Sequence, residues 1–179
     1  MSTNYTPTYA LFHGTIGYTV ECGENNEASV TMGKYGLIGH TAYVAENKND
    51  LYLNQLEFFR RALNNEESPE TEKWFVTQDN QVEENFREKD EYGKFYPEYY
   101  VIPTDAASQR DIADAYFMQE YFIRNGVQVE KLTQDVTVNG VTYKAGAFVI
   151  DMHQISRSFA NAVLYKGKIV KNWTGYRLR

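Results

Sequence analysis

"HGTIGYTVECGENN", residues 13–26, decides how the fold is read. A β-rich run, Tyr18-Thr19-Val20, leads directly into Glu21, and a polar loop carrying Gly23 follows. Residues 9–12 (Tyr9 to Phe12) and 15–21 therefore read as strands, with Gly14, Gly17 and Gly23 as punctuation. A glutamate inside such a run is mildly disfavoured, because a strand is normally a pleated, half-buried surface. Glu21 is thus either a solvated carboxylate at a strand edge or a residue held there for chemistry.

Downstream, the pattern turns helical from Glu27, with Val30, Met32, Leu37, Ile38, Ala42, Tyr43 and Ala45 at spacings of roughly three to four. Gly33, Gly36 and Gly39 each weaken that helix by about 1 kcal/mol relative to alanine. Glycines three apart imply a close neighbour, so this helix is expected to pack tightly on a sheet or another helix. A second helix is predicted from about Asp50 to Leu63, with Leu53, Leu56, Phe59 and Leu63 as its apolar stripe. Residues 65–97 form an acidic connector in which only Trp74-Phe75-Val76 looks like a strand; its charge run reads as a solvated face.

Residues 98–179 read as a small α/β domain. Tyr99 to Ile102 is a strand stopped by Pro103, and Ser108-x-x-Asp111 resembles a capping box. The helix that follows ends at Asn125-Gly126, Val127 to Leu132 is a strand, and Val136 to Tyr143 is a hairpin about Asn139-Gly140. Ala147 to Asp151 is a further strand and Ser156 to Leu164 a short helix. This alternation implies an α/β class with a mixed sheet.

Composition narrows the function classes. With 42% hydrophobic and 15% aromatic residues, the 179-residue chain can build a core despite a mean hydropathy of -0.57. Residues 1–100 hold 17 acids and 8 bases, a balance of -9; residues 101–179 hold 7 and 10, a balance of +3. The acidic first half argues against a nucleic-acid partner. No apolar run approaches the ~20 residues of a membrane span, and the polar start Met1-Ser2-Thr3-Asn4 does not read as a signal peptide. The single cysteine, Cys22, allows no intramolecular disulfide, no cysteine zinc cluster and no nucleophile elbow.

The histidines, His13, His40 and His153, have no Glu or His three or four residues away, so helical metal-ligand spacing is absent. His40 reads as a packing or surface residue in the glycine-bearing helix. Asp151 and His153 share a strand face, as a catalytic pair or a hydrogen-bonded turn.

"ALFHGTIGYTVECGENN", followed by "KYGLIGHTAYVAENKNDLYLNQLEFFRRAL", resembles the closing segment of the zinc carboxypeptidases, the carboxypeptidase A-like metallopeptidases. Thr19-Val20-Glu21 matches their Thr-x-Glu motif, and residues 98–171 look like the α/β domain appended in a bacterial branch of that family. The resemblance implies that residues 1–64 are the terminal strands and helices of a carboxypeptidase-like α/β domain, with 98–179 appended. It implies that Glu21 is the proton-transferring catalytic residue and that the parent binds zinc and a peptide substrate; relatives of this type are often exported to the envelope or beyond, but the sequence does not place the parent. The family's ligands, His-x-x-Glu and a later histidine, lie upstream of that glutamate. With only 20 residues before Glu21, the chain is expected to hold no zinc and to be inactive alone. A non-catalytic interaction or stability module is the alternative. Strand edges left unpaired at residues 9–21 would favour homo-oligomers.

Overall fold

A computed structural model describes residues 6–67 and 93–165. In these, the helices are α1 (Thr6–Phe12), α2 (Glu27–Glu46), α3 (Lys48–Leu63), α4 (Ile112–Arg124) and α5 (Arg157–Leu164). The strands are β1 (Tyr99–Ile102), β2 (Glu130–Lys131), β3 (Val136–Val138), β4 (Val141–Tyr143) and β5 (Phe148–Asp151). Helix and sheet are therefore mixed, as an α/β reading requires. Trp74-Phe75-Val76 and most of the acidic connector lie outside the described residues.

The sheet corrects one expectation. Its order is β1-β5-β2, and both pairings are antiparallel, not mixed. The connection β1–α4–β2 is a crossover that leaves a one-strand gap between its ends. β5 fills the gap, running against both neighbours, with Tyr100 opposite Ile150 and Glu130 opposite Val149. β3 and β4 form a separate two-stranded hairpin.

One face of β5 and two helices make the core. Phe122, Val127, Ile150, Met152, Phe159 and Ala160 are buried together, with Tyr100, Ile102, Met118 and Val163 packed around them. Each large side chain fully buried here contributes about 1.5–3 kcal/mol. Two side-chain hydrogen bonds tie the rim of this core: Tyr100 Oη donates to Asn161 Oδ1 at 2.7 Å, and Gln154 Oε1 accepts from the Gln128 amide at 2.8 Å. The N-cap of α4 is Asp111, whose carboxylate accepts from Ala113 N at 2.9 Å. Ser108, expected to open a capping box, instead closes an Asp105 turn.

The expected strand at residues 9–12 is a helix, α1. Pro7 is tolerated in its first turn, where the amide it lacks would have no partner. Its end is a Schellman closure: Gly14 N donates to Leu11 O at 3.1 Å and Thr15 N to Ala10 O at 2.9 Å, with Gly14 at φ +77°. Tyr9, Phe12 and His13, three and four apart, share one face and meet Phe159 of α5. Residues 15–22 form no strand either. A strand needs a ladder partner, and this segment instead crosses from α1 to α2, with Gly17 against the Pro7 backbone. The strand edges expected to drive oligomers are therefore not present in 9–21.

Both predicted middle helices form, but they pack differently from their sequence reading. α2 is capped by Asn26, whose side chain accepts from Ser29 N at 3.0 Å, and it buries no side chain. Nothing lies within 4 Å of where a Cβ on Gly33, Gly36 or Gly39 would stand, so the close neighbour those glycines implied is not among the described residues. α3 turns Gln55, Phe58, Phe59 and the buried Ala62 inward. Its expected stripe residues Leu53, Leu56 and Leu63 are exposed. No helix among the described residues is long and apolar enough to cross a membrane.

Candidate functional site

Glu21 sits in the irregular segment between α1 and α2, and it is exposed together with Tyr18, Thr19 and Val20. Two contacts hold this segment along α2. The Tyr18 ring meets His40 edge-on at 4.7 Å, and Cys22 Sγ reaches Ser29 O at 3.7 Å. Just beyond Glu21, residues Cys22, Gly23, Glu24, Asn25, Ser29 and Val30 line an open cleft of about 380 Å³. Asn26 Nδ2 donates to Glu24 Oε2 at 2.7 Å, fixing the acidic loop over the first turn of α2. Among the described residues, no group of three His, Cys, Asp or Glu side chains could hold a metal ion.

Asp151 and His153 are brought together, as a turn. Asp151 Oδ1 accepts the His153 amide at 2.8 Å and lies 2.8 Å from His153 Nδ1. The other ring nitrogen, Nε2, is 3.6 Å from Glu98 Oε2. Nδ1 is thus engaged by Asp151, whereas Nε2 lies beyond hydrogen-bond distance of Glu98. The cluster ties the end of β5 to the residue before β1, whose carbonyl accepts Met152 N at 3.0 Å.

Sequence reading missed the one charged side chain that is buried among the described residues. Arg157, only 5% exposed, opens α5 and reaches back to the end of α3. Its Nη1 donates to Asn65 Oδ1 at 2.9 Å, its Nη2 donates to Glu66 O, and its guanidinium lies 4.2 Å from the Tyr96 ring centroid. Asn65 Nδ2 in turn donates to Pro97 O at 3.1 Å, and the Glu67 carboxylate accepts Phe95 N. Burial pulls the Arg157 pKa below its ordinary value, against partial support from Tyr96 and the nearby glutamates. This arginine ties residues 65–66 to Tyr96, and Asn65 carries the tie on to Pro97. No local pattern announces it, because its partners lie about ninety positions away.

His13 is also structural. Its ring lies 4.5 Å from Tyr9 and 5.2 Å from Phe159, its Nε2 is buried without a hydrogen-bond partner, and burial lowers its pKa. His40 is half-buried against Tyr18, matching its reading as a packing residue. No family model matches this chain, and neither curated proteins nor solved structures give a significant match.

Proposed function

We propose that this chain is the C-terminal portion of a zinc carboxypeptidase-like hydrolase, with Glu21 as the residue that moves the proton during peptide-bond hydrolysis. The observation that carries this reading is α2. A helix of 20 residues with exposed Val30, Leu37, Ile38 and Tyr43 and no buried side chain has a surface made for packing. The segment bearing Glu21 lies along that same helix. A catalytic unit seated on α2 would bring its metal and substrate to a carboxylate that is now exposed. Zinc, when bound by such a unit, would lower the pKa of a bound water and polarise the scissile carbonyl. This chain would contribute proton transfer at the Glu21 carboxylate.

Two experiments test the reading. The DNA immediately upstream of the Met1 codon should encode, in frame, a His-x-x-Glu and a later histidine; an in-frame stop codon directly upstream would overturn the proposal. The chain by itself, with added zinc, should hydrolyse a C-terminal reporter peptide no faster than its Glu21→Gln variant.

A non-catalytic interaction or stability module is the second reading. It is favoured by the self-contained core around Phe122, Ile150 and Phe159, which uses no residue of α2 or α3. An upstream frame without the zinc motif would support it.

A further inference from the structure

The end of β5 and the residue before β1 bring Asp151, His153 and Glu98 together. Asp151 Oδ1 lies 2.8 Å from His153 Nδ1, and His153 Nε2 lies 3.6 Å from Glu98 Oε2. We propose that His153 Nε2 and Glu98 Oε2 bind a divalent transition-metal ion, with Asp151 orienting the ring. The proposal does not rest on the hydrolase reading.

The tautomer comes first. An ionised carboxylate only accepts hydrogen bonds, so a neutral ring bonded to Asp151 carries its proton on Nδ1. Its Nε2 then presents a lone pair. The Glu98 oxygen opposite is also an acceptor, and 3.6 Å is too long for a hydrogen bond. Two electron-pair donors therefore face one another across a gap that suits a cation. A tetrahedral ion bonded to nitrogen and oxygen at about 2.0–2.1 Å holds them roughly 3.3 Å apart, so the pair has to close by only about 0.3 Å. A carboxylate behind the other ring nitrogen fixes the ring and makes it a better ligand. Imidazole nitrogen selects zinc, nickel and copper, whereas magnesium and calcium take oxygen. With two protein ligands, water fills the remaining positions of the ion, and the site is a weak one.

The backbone holds the two ligands in place. Met152 N donates to Glu98 O at 3.0 Å, so residues 151 and 153 flank the residue paired with Glu98. Met152 is fully buried in the core, which anchors this crossing. Asp151 Oδ1 also accepts the His153 amide at 2.8 Å, which fixes where His153 leaves the strand. Lys94 Nζ pairs with Glu98 Oε1, and Oε2 is the oxygen turned to the ring. That ammonium weakens the attraction for a cation without occupying Oε2. The His153 side chain is 37% exposed and that of Glu98 47%, so an ion reaches both from solvent.

The test is titration of zinc chloride into the folded chain, carrying Cys22→Ser so that its one thiol takes no metal. Histidine side-chain nitrogen spectra should show the His153 Nε2 signal moving saturably with zinc and unmoved by magnesium. By calorimetry, His153→Gln and Glu98→Gln should each weaken zinc binding by at least about tenfold, and Asp151→Asn by roughly tenfold. The ring signal is read with all three residues in place, so the test stands even where a variant misfolds. An Nε2 signal that stays put at millimolar zinc would overturn the proposal, since only a proton or water would then lie between ring and carboxylate. So would an affinity unchanged in any of the three folded variants, or an equal response to magnesium.

Discussion

Gly14 concentrates three constraints in one residue. Its φ of +77° lies in the left-handed region, a Cβ there would stand 2.6 Å from Phe59 Cε1, and its carbonyl accepts Gln55 Nε2 at 2.9 Å. It therefore ends α1 and seats that end on α3. Left-handed geometry costs a non-glycine residue about 1–2 kcal/mol, and overpacking a further 1–3 kcal/mol. Gly14→Ala should lower unfolding free energy by about 2–5 kcal/mol in a denaturant titration. Loss of under ~0.5 kcal/mol, the range of an ordinary surface change, would contradict the packing described. His13, one residue away, makes stability depend on pH. Burial lowers its pKa below 6.5, so the folded state favours the neutral ring. That contribution is complete above the unfolded value and is lost as the pH falls below 6.5 toward the lower folded value. His13→Leu should flatten this acid-side loss in thermal melts taken across that window. An unchanged slope would mean that the ring is not sealed between Tyr9 and Phe159.

The elements divide by how local their instructions are. α4, the hairpin β3–β4 and α5 form where their sequence places them, with Asn139-Gly140 in a turn and Asn125-Gly126 at a stop, although the cap of α4 is Asp111 and not the expected Ser108. α1 was misread because Tyr9 to Phe12 is a short apolar run, for which strand and helix are not separable by period. The deciding marks were Pro7 before the run and Gly14 after it. The antiparallel sense of the sheet depends on β5 arriving late in the chain, which no local pattern encodes. At the site, Glu21 was legible as a carboxylate after a β-rich run, whereas Arg157 and Glu98 were not, because their partners come from distant segments. α2 carries the prediction at this scale. With open space beside Gly33, Gly36 and Gly39, replacing all three by alanine should stabilise the helix by about 1 kcal/mol each. Far-ultraviolet circular dichroism should then show greater helicity and later melting. A loss of helicity would mean that the glycines touch a neighbour in solution.

The whole molecule is uneven in its stability. Phe122, Ile150, Met152 and Phe159 are fully buried in one cluster, and α1 docks on it through α5. Arg157 ties the end of α3 to the same body. α2, by contrast, exposes Val30 at 71% and Leu37 at 69%. Exposed apolar area of that kind marks an interaction surface, and it is the ground on which the hydrolase reading stands. Such a helix is held by its own backbone bonds, which open locally, whereas β5 exchanges its amides only when the core opens. Hydrogen exchange on the dilute chain, resolved by segment, tests this most directly. The α2 amides should exchange well before those of β5 and α4, and should gain protection only when a partner or a high chain concentration covers the helix. Protection of α2 equal to that of β5 in the dilute chain would contradict the account, because it would mean that the helix is already packed.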